Sequence, residues 1–176
     1  MAKSALRLFF TEVRMSHNNW ETQPRKADGE FTFRRGGFWN SVLKSFKESI
    51  QKNSDDVADF SKGGSYYELR KETKGNKELE VHHMPANSVS PLSRGKGPCV
   101  IMEKEDHAKT ASYGGGVEAD EYRLKQQKLI ENGNFIGAEI LDILDLFENF
   151  GSKYAKAILE KLEYDKQLAR KGEIDD

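Results

Sequence analysis

The chain has 176 residues, of which 36% are hydrophobic and 32% charged, and its formal net charge is −1. This length suffices for one domain with a hydrophobic core, and no apolar run approaches the roughly 20 residues that a transmembrane helix requires. The single cysteine excludes an internal disulfide, and a net charge near zero gives no overall attraction to nucleic acid.

Residues 1–60 are predicted to form a helical or irregular N-terminal portion. Residues 5–10 are apolar and fit a strand or a helix, but Arg7 interrupts them, and they lack the character of a signal peptide. Residues 31–33 alternate like a short strand. The strongest pattern predicts an amphipathic helix over residues 39–50, whose apolar residues recur at helical spacing and are expected to form core.

Residues 54–77 carry weaker signals. A short second helix and turn are predicted at residues 54–64, and residues 66–69 fit either a strand or the beginning of a helix. The charged turn at residues 71–77 would allow residues 66–70 to pair with residues 78–82 as a β-hairpin.

A pair of histidines ends the next predicted strand. Leu79, Glu80 and Val81 alternate between apolar and polar, and they lead directly into His82 and His83 before Pro85 ends the strand. Adjacent strand residues point to opposite faces. One imidazole is therefore expected to face a bound ion while the other is directed at a substrate.

A loop, a second strand and a helix are predicted after the histidine pair. The polar loop at residues 86–97 carries Arg94 and Lys96, and residues 99–102 predict a more buried strand. Asp106 is the predicted N-cap of a short helix over residues 107–113, with His107 in its first turn and the glycines at 114–116 at its end.

The remaining chain is predicted to be helical. Helices are expected at residues 117–131 and 135–149, the latter capped by Asn134 and the most apolar of the chain. A last helix, capped by Ser152, would fray after Tyr164. Short links between these helices predict antiparallel neighbours.

Four short motifs carry a resemblance to a known family. They are His82-His83-Met84-Pro85-Ala86, Gly97-Pro98, Ile101-Met102-Glu103 and Asp106-His107-x-x-Thr110-x-Ser112-Tyr113-Gly114. In their order of strand, basic loop, strand and helix they resemble the ββα-metal (HNH or His-Me finger) nuclease domains at the C-termini of bacterial polymorphic toxins, such as those delivered by type VI secretion or carried on Rhs proteins. The resemblance covers residues 78–116 and the helical tail through about Tyr164.

This resemblance implies an α+β fold. A small ββα-metal-like unit would pack in a mainly helical domain that ends in an antiparallel helical tail. The toxin nuclease domain would span residues 61–176, either separate from the N-terminal portion or continuous with it.

The resemblance also implies roles for individual residues, with His82, His83 and His107 as the catalytic set. His82 and His107, together with Asp106, would ligate a divalent ion (Mg, Mn, Zn or Ni), and His83 would be the general base. Imidazole suits several of these ions, and its ordinary pKa near ~6.5 suits proton abstraction at neutral pH. The chain departs from many HNH enzymes at Ala111, one turn after His107, where those enzymes have a further histidine.

The candidate substrate-binding residues are polar or basic and flank the histidines, or follow them in the helical tail: Arg94, Lys96, Thr110, Ser112 and Arg123. Arg94 and Lys96 are suited to phosphate, although basic loop residues are often only solvated. For Arg123, a surface contact with Gln127 one turn later is an equal alternative.

The function that the resemblance implies is a metal-dependent endonuclease toxin of interbacterial competition, acting on DNA more than RNA. We expect a secreted effector domain that is delivered into the target-cell cytoplasm by another system, inserts into no membrane and is neutralised by a cognate immunity protein. Whether the chain is a whole effector or a piece of a larger one stays open at the level of the sequence. The alternatives are an RNase toxin and a non-catalytic interaction domain with structural histidines.

Overall fold

The computed structural model describes residues 56–174. The elements predicted at residues 5–10, 31–33 and 39–50 lie outside the described residues. Within residues 56–174 the fold is α+β, with five α-helices and a three-stranded antiparallel sheet. None of the described helices is long and apolar enough to cross a membrane.

The sheet has its most buried strand at the centre. Strands β1 (Gly63–Ser65) and β2 (Leu79–His83) both pair antiparallel with β3 (Pro98–Glu103). Every residue of β3 except Glu103 is buried, as expected for an apolar strand with a neighbour on each side. The two strands predicted from the sequence at residues 79–83 and 99–102 are confirmed.

Helix α1 (Tyr66–Glu72) forms in the segment whose sequence fitted either a strand or the beginning of a helix. The predicted hairpin of residues 66–70 with residues 78–82 is therefore wrong, since β2 pairs with β3 instead. The physical reason is a helix cap: the Ser65 hydroxyl accepts a hydrogen bond from the Glu68 backbone N–H at 3.3 Å. Of the short helix and turn predicted at residues 54–64, the described part has 3₁₀ geometry at residue 56 and a turn at residues 59–60, whereas residues 63–65 form β1 instead.

Helix α2 (Lys104–His107) begins directly after β3 and is shorter than predicted. The helix expected over residues 107–113 is wrong, because the chain turns from residue 108 onward. Asp106 is not the N-cap, a position that Glu103 occupies. Asp106 lies inside α2 with only 6% of its surface exposed, and its carboxylate accepts hydrogen bonds from Lys153 and Tyr154 instead of from backbone N–H groups of a helix start.

Three long helices complete the described chain: α3 (Val117–Glu131), α4 (Phe135–Phe150) and α5 (Ala155–Arg170). The predicted bounds of α3 are confirmed, as is the Asn134 cap, whose Oδ1 accepts from the Gly137 N–H at 2.8 Å. Ser152 does not cap α5, which begins at Ala155. The predicted fraying after residue 164 is wrong as well, because Asp165 and Leu168 are buried and the helix continues past them.

Helix α5 packs closely on the sheet through β1. A Cβ atom built at Gly63 would lie 1.9 Å from the Ala157 carbonyl oxygen and 2.4 Å from the Lys161 amide nitrogen. The two backbones therefore approach each other at a point where only glycine fits.

A fully buried ion cluster joins α5 to α4. The Lys161 ammonium lies 2.7 Å from Glu139 Oε1 and 2.8 Å from Asp165 Oδ2, and all three side chains are fully buried. Burial, together with the Asp165 carboxylate, raises the pKa of Glu139 well above its ordinary value. The cluster therefore links the two helices, because Glu139 lies on α4 whereas Lys161 and Asp165 lie on α5.

We expect Gly63→Ala to lower the free energy of unfolding by about 1–3 kcal/mol or more, the usual cost of overpacking. The new methyl group would meet backbone atoms of Ala157 and Lys161, which cannot move aside as a flexible side chain would. Gly115→Ala is the matched control, since a Cβ there meets nothing within 4 Å. Urea denaturation followed by circular dichroism measures both. Equal denaturation midpoints for the two variants would contradict the close contact between β1 and α5.

Candidate functional site

The two faces of β2 carry two different side-chain environments. Glu80 and His82 point to one face, whereas Val81 and His83 point to the other, as strand alternation requires. The His82 ring lies beside the ring of His107, and the His83 ring stacks on a tyrosine of α1. The prediction that the adjacent histidines face different surroundings is confirmed.

His82 is buried against His107. The ring centroids are 4.9 Å apart, His82 is 2% exposed, and its buried Nε2 atom has no hydrogen-bond partner among the described residues. Burial lowers the pKa of His82 well below its ordinary value, and the neighbouring His107 and His83 lower it further, so the ring is neutral at pH 7. An unpaired buried nitrogen costs about 1–3 kcal/mol, which a bound ion would offset.

His107 is oriented by Glu80, a residue that the sequence analysis missed. His107 Nδ1 lies 2.7 Å from Glu80 Oε2, so a proton on Nδ1 is donated to the carboxylate and the Nε2 lone pair remains available. Metal-binding histidines commonly have such a carboxylate partner. The signal was present in the sequence, because Glu80 stands two positions before His82 and therefore on the same face of the strand.

His83 is held in one tautomer by a backbone carbonyl. Its Nε2 lies 3.1 Å from the Arg94 carbonyl oxygen, which only accepts, so Nε2 carries the proton and Nδ1 keeps its lone pair. Burial lowers the pKa of His83, while the hydrogen bond to Arg94 opposes the shift. The neutral ring therefore has one nitrogen free to take a proton.

The predicted metal ligands are brought together only in part. His82 and His107 are adjacent, but the Asp106 carboxylate accepts from Lys109 Nζ at 3.0 Å, Lys153 Nζ at 2.7 Å and the Tyr154 hydroxyl at 2.8 Å. Across residues 56–174, no group of three or more histidine, cysteine or acidic side chains is arranged to hold a metal ion. Among protein side chains the pair therefore offers two imidazole ligands, and Asp106 belongs to a separate ion-pair network.

Arg94 and Lys96 lie near His83 in a 3₁₀ helix at Arg94–Lys96. The Arg94 guanidinium donates to the Tyr66 hydroxyl at 3.1 Å and lies 4.9 Å from the centroid of that ring. Lys96 is ion-paired with Glu173 at 2.6 Å. Arg94 is thus the better placed of the two to bind a substrate phosphate, because its guanidinium bonds to the Tyr66 hydroxyl and is not neutralised by a carboxylate, as Lys96 is.

The other candidate substrate residues hold the loop that follows α2. Thr110 is buried and its hydroxyl donates to the His107 carbonyl at 2.9 Å. Arg123 donates to the carbonyls of Ser112 and Gly114 at 2.7 and 2.9 Å and pairs with Asp120. The guanidinium of Arg123 therefore fixes this loop. The alternative contact of Arg123 with Gln127 is wrong, because the Gln127 side chain bonds to Glu131.

The helical tail also holds the segment after the histidine pair. The Ala86 N–H donates to Gln126 Oε1 at 3.3 Å, and Gln126 Nε2 donates in turn to Asp142 Oδ2 at 2.7 Å. On the other side, the Ala111 N–H donates to Asp145 Oδ2 at 2.9 Å. Helices α3 and α4 thus anchor both chain segments that flank the histidines, which no periodic sequence signal predicts.

The described part of the chain is therefore an α+β domain in which a buried histidine from a strand lies beside a partly buried histidine from a short helix, with a third histidine on the opposite strand face. Comparison of the chain with protein-family models, with curated proteins and with solved structures finds no match.

We expect Gly97→Ala to displace the His83 ring. A Cβ at Gly97 would lie 2.7 Å from His83 Cδ2, although the backbone angles of Gly97, φ −54° and ψ 133°, are open to alanine. Gly95→Ala is the control, because its nearest neighbour would be Tyr67 Cβ at an ordinary 3.8 Å. NMR spectra of the His83 ring measure the effect. A shift in both variants, or in neither, would refute this close contact.

We expect Asp106→Asn to lower the free energy of unfolding at pH 7 by about 1.5–3 kcal/mol, the usual range for hydrogen bonds to a charged group. Although burial alone would raise it, bonds from Lys153, Lys109 and Tyr154 lower the pKa of Asp106 from 3.8 to about 2. The ionised form is thus stabilised by folding above about pH 4, and this contribution is lost as the pH falls through about 2.

The measurement for Asp106→Asn is urea denaturation between pH 3 and pH 7. The difference from the parent protein is expected to shrink toward the acid end. Asp120→Asn serves as the control, because its carboxyl group is 71% exposed and such surface ion pairs contribute little. A difference for Asp106→Asn that grows on acidification would contradict this assignment.

Proposed function

We propose that this protein is a metal-dependent endonuclease, acting on DNA more than RNA. The observation that carries the proposal is the approach of His107 to His82, with ring centroids 4.9 Å apart, although a loop and a complete strand separate them in sequence. The order β2, β3 and α2 supports a ββα-metal-like unit, because the short helix returns its histidine to the strand that bears the pair.

The donor chemistry at His82 and His107 fits a divalent ion. Both rings have a nitrogen without a described hydrogen-bond partner, and Glu80 orients one of them. Imidazole ligands favour Zn or Ni over Mg or Mn, and water or phosphate oxygens would fill the remaining positions. When bound, such an ion would stabilise the negative charge on the phosphate and on the leaving oxygen.

His83 is the proposed general base. Its Nδ1 takes a proton from the attacking water, while the bond from Nε2 to the Arg94 carbonyl keeps the ring in the required tautomer. The exposed Arg94 guanidinium is the proposed phosphate contact, because its planar donors match two phosphate oxygens. Its position next to His83 would keep the substrate beside the base.

The biological setting follows from the sequence resemblance alone. The proposed role is that of a toxin delivered into a competing cell, with a cognate immunity protein that protects the producer. A small acidic protein encoded directly downstream would support this setting.

We expect His83→Ala to leave metal affinity nearly unchanged while the rate of plasmid nicking falls by about 10²–10⁴-fold, because a general base is lost but no ligand. His107→Ala and Glu80→Gln should weaken metal binding itself, the latter by about 10–100-fold, as expected for the partner of a ligand. Calorimetric metal titration and plasmid nicking, with and without chelator, measure both properties.

The parent protein provides the reference for these variants, and circular dichroism confirms equal folding. Normal metal binding by His107→Ala together with lost binding by His83→Ala would reverse the assigned roles. Cleavage of RNA alone would identify an RNase. Metal-loaded, folded protein that cleaves neither nucleic acid would favour a non-catalytic interaction domain.

A further inference from the structure

We propose that Tyr66 is a positioning residue that holds the His83 imidazole through ring stacking and the Arg94 guanidinium through its hydroxyl. The kinetic part of this proposal rests on the proposed function, whereas its geometric part does not. No sequence motif indicated a positioning role for Tyr66, because an aromatic residue at the start of a helix is usually part of the hydrophobic core.

The backbone and ring of Tyr66 are fixed from two sides. The Tyr66 N–H donates to the Gly97 carbonyl at 2.9 Å, which ties the first residue of α1 to the segment that precedes β3. Its half-buried ring packs against the cluster formed by Leu69, Cys99 and Ile101. The ring is therefore a rigid surface rather than a mobile side chain.

The His83 ring is confined on three sides. The Tyr66 and His83 ring centroids lie 4.6 Å apart with an interplanar angle of 24°, which is a stacked arrangement. The Arg94 carbonyl restrains the ring through Nε2, and Gly97 lies against Cδ2. The stacked Tyr66 ring prevents the His83 ring from tilting, and so keeps its Nε2–H directed at the Arg94 carbonyl.

Arg94 contacts both partners with different groups. Its carbonyl accepts from His83, and its guanidinium donates to the Tyr66 hydroxyl at 3.1 Å. This hydroxyl is neutral, so the contact orders the guanidinium without cancelling its positive charge. Tyr66 thus has two separable functions, one exerted by its ring and one by its hydroxyl.

Substitutions at Tyr66 separate these functions. Tyr66→Phe keeps the ring and removes the hydroxyl, so KM is expected to rise by roughly 2–12-fold, the factor that corresponds to one hydrogen bond, with kcat unchanged. Tyr66→Leu removes the stack, so kcat should also fall, by roughly 2–12-fold as estimated from the stacking energy. Tyr67→Phe and Tyr67→Leu are the matched controls, because the adjacent Tyr67 is 60% exposed and contacts Lys71 instead.

A second readout needs no activity. The ring ¹⁵N shifts of His83, recorded on the metal-free full chain, report which nitrogen carries the proton. We expect the Nε2–H form in the parent and in Tyr66→Phe, and a mixture of tautomers in Tyr66→Leu. In an Arg94→Met background, Tyr66→Phe should change KM no further, because its partner is already absent.

The outcomes distinguish this proposal from the proposed function. A tautomer change in Tyr66→Leu with no nicking by the parent would support the positioning role and refute the nuclease. Nicking by the parent, with His83 shifts and kinetic constants in both Tyr66 variants equal to those of the parent, would overturn the positioning role alone. An effect of equal size in the Tyr67 variants would also overturn it.

Discussion

The antiparallel register between β2 and β3 is the constraint on which the described site depends. It places His82 opposite Val100 and His83 opposite Cys99, and so decides which imidazole faces α2 and which faces α1. A slip of one residue would exchange the two faces and bring His83 toward His107. The buried, apolar β3 makes such a slip costly, because it would move apolar side chains out of their packed positions.

The two faces of β2 divide the site into two parts with different chemistry. On one face, a buried neutral imidazole and a carboxylate-oriented imidazole form a set of nitrogen donors. On the other face, a backbone carbonyl, an aromatic ring and a guanidinium surround His83. Both parts are at the end of one strand, because His82 and His83 are its last two residues.

The helical tail stabilises the loops around the site through buried polar contacts rather than through apolar packing alone. Gln126 and Asp145 accept hydrogen bonds from backbone N–H groups of the two segments that flank the histidines. Lys161 joins α4 and α5 through carboxylates in an environment without water access. A buried polar network is stable only when all of its hydrogen-bonding partners are present. The folding of the helical tail is therefore coupled to the folding of the segments that flank the histidines.

The sequence by itself determined the strands at residues 79–83 and 99–102, the helix at residues 117–131 and the opposite orientation of the paired histidines. These features depend on local periodicity and on strand alternation, both of which act between near neighbours, as does the Asn134 cap of α4. A local cap at Ser65 was also present in the sequence, and it would have indicated that α1 is a helix.

Only the tertiary structure decided which residues surround each histidine. The Arg94 carbonyl on His83 and Lys153 on Asp106 are contacts between distant segments that no spacing rule predicts. For Glu80, strand spacing gives only the face that it shares with His82, and its partner His107 comes from a distant segment. The same holds for Arg123, whose guanidinium is taken up by loop carbonyls. Local sequence sets the direction of a side chain, whereas its partner is selected by the packing of elements that are remote in the chain.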